Sequence, residues 1–291
     1  MPSYVGRYAP SPTGALHFGS VIAAIGSYLD ARAHRGRWLL RIDDLDAPRT
    51  AAGAVAAILR ELERLGLEWD ATPEYQSEHP QRYLEALETL SARGLSYPCA
   101  CSRKDLLGCR VYPGTCRQGL APGRSAHSRR LRVGQARISF QDQIQGRCES
   151  NLALDTGDFV IHRGDGIVAY HLATVLDDAA AGVSQVVRGA DLLASTARQI
   201  YLHKCLDLPI PEYAHLPVAL NAAGQKLSKQ THAAPSHRLD AVELWRRSLV
   251  FLGQTVPANL LDLNDLRTHA VGHWHLDQVP RERETGSWAS H

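Results

Sequence analysis

The chain has 291 residues, 44% of them apolar, enough to bury a sizeable core as one large domain or two. With 32 Lys and Arg against 30 Asp and Glu, its net charge of +2 excludes a protein held to nucleic acid by charge alone, though not shaped contact with an RNA. The N-terminus lacks a charged region followed by an apolar one, and no apolar stretch approaches membrane-spanning length, so the expected compartment is the reducing cytoplasm.

Residues 4–8 read as a short strand. A loop stiffened by Pro10 and Pro12 follows, and apolar residues then recur at Phe18, Val21, Ile22, Ile25, Tyr28 and Leu29 with a helical period. Free N–H groups and the positive end of the helix dipole make that corner a phosphate site, and Gly14 and Gly19 let backbone approach a ligand. The apolar run 38–42 ends in Asp43 and Asp44, as expected of a buried parallel strand with carboxylates at its C-terminal edge, where open α/β sheets bind ligands. Helices are predicted over 51–65, with Val55, Ile58, Leu59 and Leu62 on one face, and over 80–92, stopped by Gly94. This alternation predicts a parallel sheet.

Apolar periodicity lapses over 97–122, where four of the six cysteines gather as Cys99, Cys101, Cys109 and Cys116. Without an export signal such clustering favours a metal over disulfides, and ligand chemistry alone offers all four thiolates to tetrahedral Zn²⁺. Cys148 and Cys205 read as core residues. Arg124, Arg129, Arg130, Arg132 and Arg137 form a basic run, read either as a solvated loop or as a place for an RNA backbone. Residues 159–162 and 167–170, joined by Arg163-Gly164-Asp165-Gly166, predict a β-hairpin in which Arg-Gly-Asp is a turn. A strand is expected over 185–189, then a helix capped by Asp191 and running to about Leu206, then a last short strand over 217–220. Lys226-Leu227-Ser228-Lys229-Gln230 places two lysines around a serine on a glycine-preceded loop, which suits a polyphosphate. Helices are expected from Asp240 and near 259–269, with a disordered tail from Arg281.

The stretch from Arg7 through Pro10-Ser11-Pro12 to His17-Phe18-Gly19-Ser20 resembles the HIGH motif of class I aminoacyl-tRNA synthetases, in the form used by the glutamyl group. Lys226 to Gln230 stands where that family keeps its KMSKS loop. Ser20 replaces the motif's second histidine, Leu227 its methionine and Gln230 its last serine, which leaves Lys229 as the chief lysine contact. The resemblance implies an α/β fold: a Rossmann-type class I catalytic domain with a zinc-binding insertion, a short helical C-terminal subdomain and no anticodon-binding domain. The divisions expected are 1–96 and 181–238 for the two catalytic halves, 97–180 for the insertion with its zinc module at 97–122, and 239–291 for the helical end.

It also implies ATP with Mg²⁺ as co-substrate, His17 and Lys229 as catalytic groups, and Gly19, Lys226 and Ser228 on the nucleotide. L-glutamate would meet Arg7, Tyr8, Ala9, Pro10, Ser11, Tyr170 and Arg188, with Asp43 near its ammonium where the family has a glutamate. For Arg188 a structural ion pair, and for Tyr170 core packing, are the alternatives. The Cys-x-Cys…Tyr-x-x-x-Cys spacing is similar to the zinc module of short glutamyl paralogues in which a tyrosine is a ligand. It assigns Cys99, Cys101, Tyr112 and Cys116, with Cys109 as the substitute. Those short paralogues imply a monomer that makes glutamyl-adenylate and passes glutamate to queuosine in the anticodon loop of tRNA(Asp), with no membrane partner. The rivals are a short enzyme charging tRNA(Glu) and a non-catalytic RNA-binding paralogue.

Overall fold

Strand β1 (Val5–Tyr8) is buried along its whole length and opens a parallel arrangement. The computed structural model describes residues 4–220 and 236–281, and the backbone of 284–285. Helix α1 (Phe18–Ala33) carries the chain back to β2 (Arg37–Ile42), which pairs parallel to β1 with Arg7 opposite Leu39. After α2 (Ala54–Arg64), the two-residue β3 (Glu74–Tyr75) adds parallel to β2, and α3 (Pro80–Ala92) closes this half. Strand β4 (Ser96–Cys99) leads into the cysteine segment, and β5 (Ser128–Leu131) returns antiparallel beside it. Strands β6 (Arg137–Asp142) and β7 (Gly146–Asn151) form a hairpin. A single turn, α4 (Leu152–Asp155), precedes β8 (Phe159–His162), which pairs with β5.

The chain re-enters the parallel layer through α5 (Tyr170–Ala180), β9 (Gln185–Gly189), α6 (Leu193–Cys205) and β10 (Glu212–Leu216), followed by β11 (Val218–Ala219). β10 runs parallel to β9 and β6, and the order in this sheet is β7-β6-β10-β9. β9 lies beside β1, where the Ser184 N–H donates to the Val5 carbonyl at 2.9 Å. The first crossover leads away from β1 on one side and the second leads away from β9 on the other. Such a switch point opens a crevice at the carboxyl ends of the strands.

Helix α1 sits on this layer with Val21, Ile22, Ile25 and Leu29 buried. A Cβ at Gly26 would stand 2.6 Å from Leu216 Cδ1, so a larger residue there would force the Leu216 side chain to move. Helices α7 (Ala241–Phe251) and α8 (Leu263–Gly272) share the same core and are N-capped by the carboxylates of Asp240 and Asp262. The indole N–H groups of Trp245 and Trp274 anchor them, on the Leu65 carbonyl at 2.9 Å and on Asp30 at 3.0 Å. Among the described residues no helix is long and apolar enough to cross a membrane.

Four local expectations change. The hairpin over 159–170 has one strand only: His162 and Val168 make an isolated bridge, and Tyr170 opens α5. Leu172, Ala173, Val175 and Leu176 recur at helical spacing and are buried, and that burial outweighs the β-branched Ile167-Val168 start. β10 lies ahead of the strand expected at 217–220, and its His215 hides the apolar signal. Asp191 lies in a 3₁₀ turn, and Leu192 occupies the α6 N-cap position. The last helix starts at Leu263 rather than near 259, because the cap residue is Asp262. The tail expectation beyond Arg281 falls almost wholly outside the described residues.

Candidate active site

The carboxyl ends of β1, β2 and β9 and the first turns of α1 and α5 enclose a cavity of about 300 Å³. Its wall includes Arg7 and Tyr8 of β1, the following Ala9, Pro10 and Ser11, His17 and Gly19 at the start of α1, and Asp43 just after β2. Tyr170 and Thr174 of α5 and Arg188 of β9 complete it. Every residue expected to contact glutamate therefore lies on one surface with His17 and Gly19. Lys226, Ser228 and Lys229 lie outside the described residues.

The geometry at the start of α1 is local. His17 is the N-cap of α1, and its Nδ1 accepts the Ser20 N–H at 3.3 Å. The proline loop is tied to the sheet by the Asp43 N–H, which donates to the Pro10 carbonyl at 3.0 Å. Gly19 and Ser20 of the first helical turn thus line the cavity together with His17.

Beneath the cavity runs a chain of buried charges. Arg7 donates through Nε and Nη2 to both oxygens of Asp178, each at 3.2 Å. Arg41 donates to Asp178 at 2.6 Å and to Asp43 at 2.7 Å. Asp177, the preceding residue, accepts from Gln76, Arg82 and the Tyr83 hydroxyl. Burial alone would raise the Asp178 carboxyl, but Arg7 and Arg41 outweigh it and hold the group at about 2. Asp43 goes the other way: burial raises it above the usual carboxylate range despite Arg41. Burial likewise opposes the Arg41 charge, and Asp43, Asp178 and Asp177 more than restore it.

Arg188 makes no ion pair with a carboxylate among the described residues; its partners are His215, Thr196, Gln199 and the Leu192 carbonyl. Tyr170 is 40% exposed at the rim, so core packing does not account for it. Three buried polar atoms of cavity-lining residues have no partner among the described residues: Arg41 Nη2, Arg188 Nη1 and Thr174 Oγ1. Buried groups of this kind call for a polar ligand, and two guanidinium nitrogens call for an anionic one.

The second cluster lies at the end of β4. The sulfurs of Cys99, Cys101 and Cys116 fall within 4.8 Å of one another and could hold a metal ion. The Tyr112 hydroxyl is 3.5 Å from the Cys99 sulfur and 3.7 Å from that of Cys101, and accepts the Cys116 N–H at 3.0 Å. Cys109 is exposed and stands apart from this set. Gly157, at φ +67°, holds the module down: a Cβ there would meet the Tyr112 carbonyl oxygen at 2.8 Å. Burial raises the Cys99 thiol, but hydrogen bonds from Tyr112, the Cys101 N–H and Arg130 bring it down to about 6. Cys205 is buried as expected, whereas Cys148 is half-buried on β7.

The arginine run is not a uniform solvated strip. Arg130 is buried, with its guanidinium 3.8 Å from the Tyr112 ring centre and its Nε donating to the Cys99 sulfur at 3.3 Å. Arg132 covers the Tyr97 ring at 4.7 Å and donates to the Arg117 carbonyl. Arg124 donates to the Ala100 carbonyl and to Asp105. Three of the five arginines, Arg124, Arg130 and Arg132, thus make contacts within or beside the cysteine segment.

Sequence reasoning missed Arg41, Thr174, Asp177, Asp178, Asp142 and His215. Arg41 carried a signal, a charge inside the apolar run Trp38–Ile42 beside a buried Arg7. Asp177 and Asp178 fall between the hairpin expected over 159–170 and the strand expected over 185–189, a stretch that was given no element.

The chain belongs to the class I tRNA synthetases of the E and Q group: the family's catalytic domain matches residues 4–250. Within it, the chain is 54% identical over 290 residues to the glutamyl-Q tRNA(Asp) synthetase of Aromatoleum aromaticum, covering 97% of this chain and 92% of that one. It is 53% identical to the protein of the same name from Dechloromonas aromatica, with 96% of each chain covered. A solved glutamate tRNA ligase from Elizabethkingia meningosepticum superposes with a TM-score of 0.80 at 23% identity, over 96% of this chain and 66% of that one. That last likeness is one of fold, and this chain spans about two thirds of the ligase's length.

Proposed function

We propose that the protein activates L-glutamate with ATP and transfers it to queuosine in the anticodon loop of tRNA(Asp), the reaction suggested by the name its curated relatives carry. The observation that carries this reading is one cavity holding both a helix N-terminus with His17 and two buried guanidinium nitrogens without partners. The first step joins the α-carboxylate of glutamate to the α-phosphorus of ATP and releases pyrophosphate. In the second, a hydroxyl of the queuosine cyclopentenediol attacks the activated carbonyl and AMP leaves.

No protein nucleophile is needed; alignment and charge neutralisation supply most of the rate. His17 and the first N–H groups of α1 face the phosphates of ATP, which enters with Mg²⁺, and Lys226, Ser228 and Lys229 serve the same polyphosphate. Arg188 and Arg7 face carboxylate, Asp43 faces the ammonium while still holding Arg41, and Tyr170 closes the rim. Glutamine is rejected because its amide leaves a buried guanidinium charge unpaired. The protein acts as a monomer in the cytoplasm, with Arg129 and Arg137 left to meet RNA phosphates.

Labelled glutamate should go to queuosine-containing tRNA(Asp) and not to the same tRNA lacking queuosine. Label on the 3′ end of tRNA(Glu), with none on tRNA(Asp), overturns the assignment.

The metal we infer for the Cys99, Cys101, Tyr112 and Cys116 set is structural zinc, since three thiols and a hydroxyl suit its tetrahedral preference. Three thiolates already exceed the charge of Zn²⁺, and Arg130 is placed to offset the surplus. Metal analysis should find about one zinc per chain, the stoichiometry of a closed thiolate site. Cys101→Ser should lose it, Tyr112→Phe should weaken retention against a chelator, and Cys109→Ser should leave it unchanged. Zinc loss from Cys109→Ser but not from Tyr112→Phe contradicts the ligand set.

A further inference from the structure

Arg188 is held by neutral groups on nearly every side. Its Nε donates to His215 Nε2 at 3.1 Å, and its Nη2 donates to Thr196 Oγ1 at 2.8 Å and Gln199 Oε1 at 2.7 Å. The Tyr213 ring centre lies 5.6 Å from the guanidinium carbon. Only Nη1 has no partner among the described residues, and Arg188 is part of the cavity wall. Behind it, His215 Nδ1 meets Asp142 Oδ2 at 2.6 Å, and both side chains are wholly buried.

One proton arrangement satisfies these contacts. Arg188 Nε can only donate, so His215 Nε2 must accept, and the ring proton must sit on Nδ1 and point to Asp142. Asp142 is itself fixed, because its Oδ1 accepts the N–H groups of Ile144 at 3.1 Å, Gln145 at 2.8 Å and His215 at 3.2 Å. The other tautomer would set one N–H against another.

We propose that Asp142 and His215 are positioning residues for the glutamate pocket. Through one fixed imidazole tautomer they hold Arg188 in the cavity wall with Nη1 left unpartnered, and they do so without neutralising its charge by direct contact. Arg7 and Arg41 differ in that each already rests on a carboxylate. Arg188 is therefore the cavity arginine that has no carboxylate partner among the described residues, and the relay behind it separates glutamate from glutamine. This rests on reading the cavity as a glutamate site.

The test is ATP–pyrophosphate exchange with the full chain, with the KM for glutamate and for ATP measured separately and folding followed by circular dichroism. In Asp142→Asn the backbone N–H groups retain the amide oxygen, so the amide NH₂ faces His215 Nδ1 and drives the ring proton to Nε2. Asp142→Asn and His215→Leu should each raise the KM for glutamate about 10–100-fold, the scale seen when an orienting partner is lost, with the KM for ATP little changed. His215→Gln, whose amide can accept from Arg188 and donate to Asp142, should recover most of the affinity even if His215→Leu fails to fold. Arg188→Ala is the reference. If it raises the glutamate KM while folded Asp142→Asn and His215→Gln both behave as wild type and His215→Leu does too, the relay is overturned and the pocket stands. An equal rise in both KM values for the relay variants also overturns it. If Arg188→Ala itself leaves the glutamate KM unchanged, the pocket reading fails.

Discussion

Replacing Asp178 by alanine should destabilise the protein by about 3–5 kcal/mol, the range for removing one member of a buried ion pair. Asp178 is buried on α5 and bridges Arg7 and Arg41, which are also buried. Its loss leaves Arg7 without a carboxylate and Arg41 with Asp43 as its close partner. For a chain of this size the melting temperature should fall by roughly 10 °C, measured by calorimetry and checked by urea titration. The same pair sets an acid limit. The Asp178 carboxyl is held at about 2, so its contribution is present above the unfolded value near 4 and lost as pH falls through about 2. A melting temperature within a degree or two of wild type would mean that solvent or rearrangement satisfies the two guanidinium groups.

His17→Ala should lower adenylate formation by roughly 10²-fold or more, the scale for removing one preorganised donor from a developing charge. The KM for glutamate should change little, because His17 sits at the helix end of the cavity rather than on the arginine side. Alanine also removes an N-cap, a loss of about 1 kcal/mol, so the rate effect needs separating from the stability effect. His17→Asn does this: asparagine caps a helix but offers no imidazole, so this variant should melt like wild type and remain as slow as His17→Ala. Lys229→Ala should show a comparable loss of rate if the lysine loop serves the same phosphates. Near-wild-type exchange in both His17 variants would place the ATP phosphates elsewhere.

The parts of the site that were legible in the sequence share a property. Their chemistry is written in consecutive residues: the loop from Arg7 to Ser20, Asp43 at the end of an apolar strand, and cysteines two residues apart. Such segments fold locally into a strand, a turn or a helix start, so the motif and its geometry coincide. Helix α3 was readable to the residue because Pro80 starts it and Gly94 follows its end. Ligand chemistry alone favoured Cys109 over Tyr112 as the fourth group; the fold buries Tyr112 beside the three sulfurs and leaves Cys109 exposed.

Composition, periodicity and motif spacing were thus enough for the α/β layout and the cysteine cluster, while most cavity residues were named from the family resemblance that the Arg7–Ser20 stretch carries. What only the tertiary structure decided is how the charges are apportioned. Arg7 and Arg41 meet Asp178, which is far along the chain, and Arg130 turns from a surface cation into a support for sulfur. Arg188 is left among neutral partners with His215 and Asp142 behind it. An arginine in a sequence carries the same charge wherever it stands. Whether that charge is spent on a buried carboxylate or kept for a ligand depends on which strands the fold sets side by side, since a hydrogen bond needs contact distance and Coulomb attraction weakens with separation.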